Sequence, residues 1–390
     1  MSSCSHFLEL LVFFKTFATY EYDTSYEAPV WFFHSSHRQR NEKRTSMVNY
    51  TLWDTEVDLD LDKENFPSPE QLKSIDAICG NPEHFFFQTK RGDKLHCCKH
   101  LPSTTPRGVI IWQHGIQAWT GNTFEFPNGE KVNKSLLADM FVKAGFAMYS
   151  MDLLGHGYSE GLRFYIPNGD WTIHLEELRE FTELVNSEMS ASTPFFLMGE
   201  SYGACLAIHL ARQLQNQAPN SPRNFKGVAV LCPAIIGDLP PAPVVFILRN
   251  IIAPLFPESS PFFMPHPISP HRIWKNELVR AHNSSEEELA MGLHGGGKTF
   301  RLGTAAGLLA ALEEVRTEAI PGLTVPFCVV HGTEDYGVPI AGTEYLLEHS
   351  STPKDLRGVR LVDGAYHDLL SEDSREETVQ FIIDWINQIM

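Results

Sequence analysis

Short apolar runs alternate with helix-like segments from about residue 84 onward, and this alternation restricts the fold more than any other feature. The apolar runs predict buried strands at Val109–Gln113, Phe146–Met151, Phe195–Met198, Val228–Leu231, Phe327–Val330 and Val359–Val362. Helical periodicity lies between them, at Asn133–Ala144, Asp170–Met189, Tyr202–Gln217, Thr304–Glu314, Gly342–His349 and Glu376–Ile389. Strands that alternate with helices form a mostly parallel sheet with helices on both faces, so we predict an α/β fold.

Two further strands precede this pattern. Phe85–Thr89 and Leu95–His100 flank a turn that contains Gly92, which predicts a hairpin. The hairpin adds antiparallel strands at one edge of the sheet. The predicted core therefore spans residues 66–232 and, after an interruption, residues 301–390.

Residues 233–300 interrupt the alternation. Ten of the chain's 25 prolines lie from Pro233 to Pro270, together with the apolar runs Val244–Leu248 and Ile251–Phe256. Proline at this density cannot extend a central sheet, because proline has no N–H to donate. An apolar insertion over the carboxyl ends of a parallel sheet is the usual place for a lid. We predict a lid or cap here. The alternative is a segment that packs on the core and has only a structural role.

Residues 1–65 are predicted to form a poorly ordered extension. The apolar stretch Phe7–Phe14 carries Glu9 and follows no basic residue, unlike a signal peptide. A targeting segment stays open as the alternative, and Met47 offers a second start. The chain contains no run of about 18 apolar residues that would predict a spanning helix.

Acidic residues outnumber basic ones by 48 to 31, which gives a formal net charge of −17. This excess argues against a nucleic-acid ligand and against docking on anionic lipid by charge alone. Seven cysteines in 390 residues are too few for a disulfide scaffold and fit reduced thiols. We expect a cytoplasmic protein, with peripheral membrane contact through the insertion as a further expectation.

The first chemical signal is a G-x-S-x-G sequence at residues 199–203. It directly follows the predicted strand Phe195–Met198 and opens the next predicted helix. A strand, tight turn and helix around this sequence expose a nucleophilic serine above the sheet edge, which makes Ser201 the candidate nucleophile. Gly199 and Gly203 are expected there because the backbones crowd together. The alternative is a glycine-rich connection without chemistry.

A serine hydroxyl becomes a good nucleophile only when a base takes its proton and an acid orients that base. Around such turns the chain order is Ser, Asp, His. Asp335 follows the strand Phe327–Val330, and His367 lies between the last strand and the terminal helix. Asp335 is preferred by its position over three other acids, which are Glu334, Asp363 and Asp368. Histidines at other strand ends are predicted to stabilise turns, namely His114, His156 and His331.

An oxyanion intermediate needs hydrogen-bond donors. The predicted donors are the backbone N–H of Tyr202, which follows the serine, and that of Ile116. Ile116 lies in the tight turn that begins with His114 and Gly115. Gly115 is expected to let the chain bend back towards Ser201.

Together these motifs resemble the α/β-hydrolase superfamily and, within it, the monoacylglycerol lipase and lysophospholipase-like family. The similarity runs in family order over about residues 85–390, and the D-x-x-G-H-G-x-S segment at residues 152–159 is its most specific part. Further matches are His114-Gly115, Leu323–Phe327, His331–Pro339 and Gly364–His367. The resemblance implies a mostly parallel eight-stranded sheet with an inserted cap. It also implies hydrolysis of esters of single-chain acyl lipids without a metal or cofactor.

Departures from the family pattern concern the substrate. Members that cleave monoglycerides usually carry Glu and Arg soon after the His-Gly turn, whereas Ile116–Asn122 carries neither, and Phe124–Val132 is an insertion. Leu370 stands where a second histidine often occurs, and Tyr202 and Ala204 stand where Met and Gly are common. The candidate catalytic residues are unaffected.

We therefore predict a carboxylic ester hydrolase with the triad Ser201, Asp335 and His367. The alternatives are a general carboxylesterase, an acyltransferase or, less favoured, a peptidase of the same fold, and a non-catalytic ligand-binding receptor on this scaffold. Gly292–Thr299 matches the nucleotide-binding pattern GxxxxGK[ST], but polar, helix-like residues precede it where a buried strand is needed. No nucleotide partner and no nucleic-acid partner are predicted.

Overall fold

The computed structural model describes residues 49–52, 55–58, 69–215, 224–261, 264, 268–295 and 298–390. Most of the segment 1–65 lies outside these ranges, so its predicted disorder stays a prediction. Within that segment, strands β1 (Asn49–Leu52) and β2 (Thr55–Asp58) pair antiparallel. Helix α1 (Pro69–Ile78) follows them.

An eight-stranded sheet lies at the centre of the described chain and confirms the predicted fold class. The strands after β2 are β3 (Glu83–Gln88), β4 (Lys94–His100), β5 (Gly108–Gln113), β6 (Thr123–Glu125), β7 (Lys131–Val132), β8 (Phe146–Met151), β9 (Phe195–Glu200), β10 (Phe225–Leu231), β11 (Phe327–Gly332) and β12 (Arg357–Val362). β6 and β7 form a separate hairpin, and the sheet order is β12-β11-β10-β9-β5-β8-β4-β3. β4 is antiparallel to β3 and to β8, and the other neighbouring pairs are parallel.

The six predicted helices are present, and each begins within two residues of its predicted start. The helices after α1 are α2 (Asn133–Lys143), α3 (Thr172–Glu188), α4 (Ser201–Leu214), α5 (Ala242–Ile247), α6 (Ala253–Leu255), α7 (Pro270–Ile273), α8 (Glu277–Asn283), α9 (Glu286–Met291), α10 (Leu302–Glu314), α11 (Ala341–His349) and α12 (Arg375–Ile389). α4 is shorter than predicted, and residues 216–223 lie outside the described ranges.

Helices cover both faces of the sheet. Successive strand residues point to opposite faces, so Ile111 packs in a cluster with α3 and α4, whereas Ile110 packs with α2 and α12. Every residue of β5 is buried. Burial on both faces explains why the sequence shows continuous apolar runs here instead of alternation.

Residues 233–300 add no strand to the sheet in their described part and contain α5 to α9. Pro243 lies in the first turn of α5, where a missing N–H costs nothing. Several large apolar side chains of this region are exposed: Leu239, Phe246, Ile251, Leu255 and Phe256. Among the described helices, none is both long and apolar enough to cross a bilayer.

Candidate active site

The structure places Ser201 at the junction between β9 and α4. Its φ of 52° lies in the left-handed region that residues other than glycine rarely adopt, and such strain is common at functional sites. A Cβ atom on Gly203 would lie 2.4 Å from the carbonyl oxygen of Gln113, and one on Gly199 would lie 2.5 Å from that of Gly203. The turn therefore requires glycine at both positions.

The loop after β5 passes directly beside the serine. A Cβ atom on Gly115 would lie 3.1 Å from Ser201 Cβ. His114 holds this loop, because its Nδ1–H donates to the carbonyl oxygen of Gly115 at 2.7 Å. The backbone N–H of Leu153 donates to Nε2 of the same ring at 3.1 Å, which fixes the tautomer.

Asp335 lies in the loop after β11 and is held from several sides. Its Oδ1 accepts from the backbone N–H groups of Gly337 and Val338, each at 2.8 Å. Its Oδ2 accepts from His367 Nδ1–H at 2.7 Å and lies 3.1 Å from His331 Nε2. The structure thus brings the candidate acid and base into contact and leaves Nε2 as the basic nitrogen of His367.

His331 has a role that the sequence did not reveal. Thr343 Oγ1–H donates to its Nδ1 at 2.7 Å, so its Nε2 carries the proton. That N–H faces the Asp335 carboxylate at 3.1 Å and the carbonyl oxygen of Val338 at 3.1 Å. The i, i+4 spacing of His331, near the end of β11, and Asp335, in the loop that follows, is the signal that could have indicated this contact.

The charges of the acid and the base stabilise each other. Burial would raise the pKa of Asp335, but attraction to His367 and hydrogen bonds from two histidines hold this pKa well below its ordinary value. Burial would lower the pKa of His367, but the carboxylate of Asp335, followed by Glu200 and Asp368, raises it above its ordinary value. At neutral pH Asp335 is therefore a carboxylate.

Ser201 and His367 line one cavity. The other lining residues are Gly115, Ile116, Gln117, Ala118, Asn122, Glu200, Ile268, Ile273, Trp274, His294 and Asp368. Within the described ranges Ser201 Oγ makes no hydrogen bond to His367. Such bonds are often long in ligand-free enzymes and shorten when substrate binds.

Residues 272–275, which we name the bridge segment, join the insertion to the loops that carry the acid and the base. Four hydrogen bonds of 2.5 to 3.1 Å form this connection: Arg272 Nε–H to the Tyr336 carbonyl, Asp368 N–H to the Ile273 carbonyl, Trp274 Nε1–H to the Asp368 carboxylate and Lys275 Nζ–H to the Gly364 carbonyl. The sequence predicted an insertion here but not these contacts.

Two acidic side chains, Glu200 and Asp368, accompany His367 in the cavity. Asp368 accepts hydrogen bonds from Trp274 Nε1–H and from the side-chain amide of Asn133, both at 2.8 Å. Burial, followed by the nearby Asp368, raises the pKa of Glu200 to about 8. Burial also raises the pKa of Asp368 above its ordinary value. The sequence analysis considered Asp368 only as an alternative to Asp335 and assigned no role to Glu200.

The segment Phe124–Val132, which the sequence predicts to be an insertion, contains most of the hairpin β6–β7. Its Phe124 and Phe126 rings lie 5.1 Å apart and nearly perpendicular. Both rings pack against three buried residues of the segment 233–300, which are Ile273, Trp274 and Val279. The hairpin therefore supports the bridge segment.

Two other groups of residues resemble cofactor sites by their residue types. Ligand atoms of Cys232, His331 and Asp335 lie within 4.8 Å of one another, but burial holds the pKa of the Cys232 thiol well above its ordinary value, and the thiolate is the form that binds metal. The nucleotide-binding pattern Gly292–Thr299 follows α9, a helix, where such sites need a strand. Neither group fits the ligand that its residue types suggest.

The profile of the family described as serine aminopeptidase, S33, matches residues 129–374, more than half of the chain. The monoglyceride lipase of Rattus norvegicus is 28% identical over 285 residues, which cover 72% of this chain and 82% of the relative. The monoacylglycerol lipase of Mycolicibacterium smegmatis is 23% identical over 300 residues, which cover 73% of this chain and 90% of the relative. The caffeoylshikimate esterase of Arabidopsis thaliana is 24% identical over 310 residues, which cover 78% of this chain and 84% of the relative.

Solved structures show the same fold. A soluble variant of monoglyceride lipase from Saccharomyces cerevisiae, in complex with a substrate analog, matches with a TM-score of 0.61 at 18% identity over 79% of this chain and 95% of that one. The monoacylglycerol lipase of Paleococcus ferrophilus matches with a TM-score of 0.58 at 19% identity, over 76% of this chain and 99% of that one. The chain is thus an α/β-hydrolase similar to monoglyceride lipases, and it belongs to the serine aminopeptidase S33 family.

Proposed function

We propose that the protein is a serine hydrolase that cleaves carboxylic esters of single-chain acyl lipids. The observation that carries the proposal is one cavity lined by a strained Ser201 and by His367, whose Nδ1–H is bonded to the buried Asp335. The names of the relatives, which are lipases and an esterase, support an ester substrate. Hydrolysis of 1- and 2-monoacylglycerols, lysophosphatidylcholine and p-nitrophenyl esters tests it, and no turnover of any would contradict it.

In the proposed mechanism Ser201 Oγ attacks the ester carbonyl while His367 Nε2 takes its proton. Asp335 keeps the other imidazole proton on Nδ1 and stabilises the imidazolium. The imidazolium then gives its proton to the leaving alcohol, and the acyl group stays on Oγ. Water, deprotonated by the same histidine, releases the fatty acid and restores the serine.

The oxyanion of the tetrahedral intermediate needs donors that are already in place. We assign this role to the backbone N–H groups of Tyr202 and Ile116. Tyr202 lies in the first turn of α4, where unpaired N–H groups and the helix dipole favour negative charge. Ile116 lines the cavity just after the Gly115 turn that approaches the serine.

Acyl-chain length is expected to control turnover. The cavity wall includes apolar side chains at Ile116, Ile268 and Ile273. Each methylene that is buried there contributes about 0.8 kcal/mol, or about fourfold in kcat/KM. Initial rates on p-nitrophenyl esters of two to sixteen carbons should therefore rise steeply from acetate to the medium chains. Equal kcat/KM values from two to twelve carbons would contradict a lipid substrate.

Contact with lipid surfaces is expected to use the exposed apolar side chains of the insertion. Phe246 is 63% exposed and Leu255 is 66% exposed. The double variant Phe246→Ser/Leu255→Ser should co-sediment less with phosphatidylcholine vesicles than the wild type, because apolar area drives such binding. Leu361→Ser, on the edge strand β12 and 51% exposed in the wild type, is the matched control. Equal pelleting of the wild type and the double variant would count against this contact.

A further inference from the structure

Gln117, the residue directly after Ile116, has a backbone conformation that needs support. Its φ of 61° lies in the left-handed region that residues other than glycine rarely adopt. A strained conformation of this kind persists only where the surrounding structure holds it. Because Gln117 is buried and bonded directly to Ile116, the contacts that hold Gln117 also hold the proposed oxyanion donor.

A glycine-rich part of the insertion supplies these contacts. We name residues 292–295 and 298 the glycine loop. The backbone N–H of Gly295 donates to the carbonyl oxygen of Gln117 at 2.7 Å. The side chain of Gln117 donates in turn through Nε2–H to the carbonyl oxygen of Lys298 at 3.0 Å. The same loop thus holds Gln117 by its main chain and by its side chain.

Local packing explains glycine at two positions of this loop. Gly292 ends α9 with a φ of 60°, in the left-handed conformation that suits glycine at a helix end. A Cβ atom on Gly295 would lie 2.7 Å from the Cβ of Gln117, which cannot move without its backbone. Glycine at 295 therefore allows the loop to approach Gln117 closely. Neither glycine needs a phosphate ligand to account for it.

Ile116 is held from its other side as well. The carbonyl oxygen of Gly115 accepts from His114 Nδ1–H at 2.7 Å and from the backbone N–H of Ala118 at 3.2 Å. Ile116 therefore lies between two residues that hydrogen bonds hold in place. An oxyanion donor is effective only when it is fixed before the charge develops, and a displacement of about 1 Å can cost about 100-fold in rate.

Resting on the proposed function, we propose that the glycine loop positions the backbone N–H of Ile116 for the oxyanion by holding Gln117. Gln117 and Gly295 are positioning residues and take no part in bond making. The insertion thereby contributes to stabilisation of the transition state through backbone contacts. Loss of either contact should weaken binding of the transition state more than binding of the ester, whose carbonyl oxygen carries little charge before attack.

Two variants and two matched inhibitors test this proposal. Gln117→Met keeps the length of the side chain but removes the donor, and Gly295→Ala places a Cβ atom against Gln117. Octyl trifluoromethyl ketone accepts Ser201 Oγ at its carbonyl carbon while the serine proton moves to His367, and its carbonyl oxygen becomes an oxyanion. Octyl methyl ketone has the same chain but a carbonyl that adds a serine poorly, so it reports binding alone.

Each variant is expected to raise the Ki of the trifluoromethyl ketone at least about tenfold and to lower kcat/KM for p-nitrophenyl octanoate by a similar factor. The Ki of the methyl ketone should stay within about threefold of the wild-type value. Gln380→Met is the matched control, since it removes the hydrogen bond of an exposed glutamine on α12 to Asp384, 2.8 Å long. It should leave all three constants within about twofold.

Gln117 lines the cavity and Gly295 is not among its described lining residues, so the two variants separate the proposed role from direct contact with the ligand. If Gly295→Ala does not fold, the ratio of the two Ki values in Gln117→Met decides. An unchanged Ki of the trifluoromethyl ketone in a folded variant overturns the inference, and so does an equal rise for both ketones. A wild type that neither cleaves the ester nor binds the trifluoromethyl ketone refutes the proposed function itself.

Discussion

Ser201→Ala is expected to lower kcat by about 10⁶-fold on every ester, because Ser201 is the one hydroxyl-bearing residue among the described residues that line the cavity. The residual rate would come from binding and from the oxyanion donors alone. Initial rates on p-nitrophenyl octanoate and on 1-monoacylglycerol measure the effect. Ser187→Ala, at an exposed serine on α3, is the matched control and should keep its rate within about twofold.

Covalent labelling by a fluorophosphonate gives a second measure of the same serine. The wild type should become labelled at Ser201, and Ser201→Ala should not. Labelling without turnover of any ester would show an active nucleophile with a different substrate. If the wild type is neither labelled nor active, the ligand-binding receptor becomes the better explanation of this scaffold.

Asp335→Asn is expected to lower kcat by about 10⁴-fold, because the amide no longer fixes the tautomer of His367. The pH profile should change as well. The Asp335 carboxylate is the largest of the influences that raise the pKa of His367, so its loss lowers that pKa. The histidine then stays neutral at lower pH, and the acid limb of kcat/KM should move to lower pH.

The neighbouring acid Asp363 provides the control for this prediction. Asp363 is exposed, its Oδ1 accepts from Thr333 Oγ1–H at 3.4 Å, and it is not among the main groups that shift the pKa of His367. Asp363→Asn should keep kcat within about twofold and leave the pH profile in place. A large loss in Asp363→Asn together with full activity in Asp335→Asn would mean that the acid has been assigned wrongly.

Features that follow from local sequence could be predicted. Central parallel strands are buried on both faces, so their apolar runs are continuous and easy to recognise. The carboxyl ends of such strands meet at one sheet edge, which is why the sequence alone places the candidate residues Ser201, Asp335 and His367 there. The antiparallel hairpin β3–β4 was likewise visible from its turn residues.

Features that depend on packing between distant segments could not be predicted. The bridge segment contacts residues more than sixty positions away, and no periodicity in a proline-rich stretch encodes such contacts. Glu200 and Asp368 each lie beside a candidate catalytic residue, but they are 168 positions apart in the sequence. Only the folded chain brings both into the same cavity wall.

The bridge segment also limits how the insertion can change during evolution. Its four residues bond to the backbone or side chains of Tyr336, Gly364 and Asp368, in the loops that hold the acid and the base. The insertion is therefore not an independent module that relatives could exchange freely. A chimera carrying another protein's residues 233–300 would keep the acceptors of Tyr336, Gly364 and Asp368 but lose the donor side chains of Arg272, Trp274 and Lys275. Insertion and core must therefore diversify together.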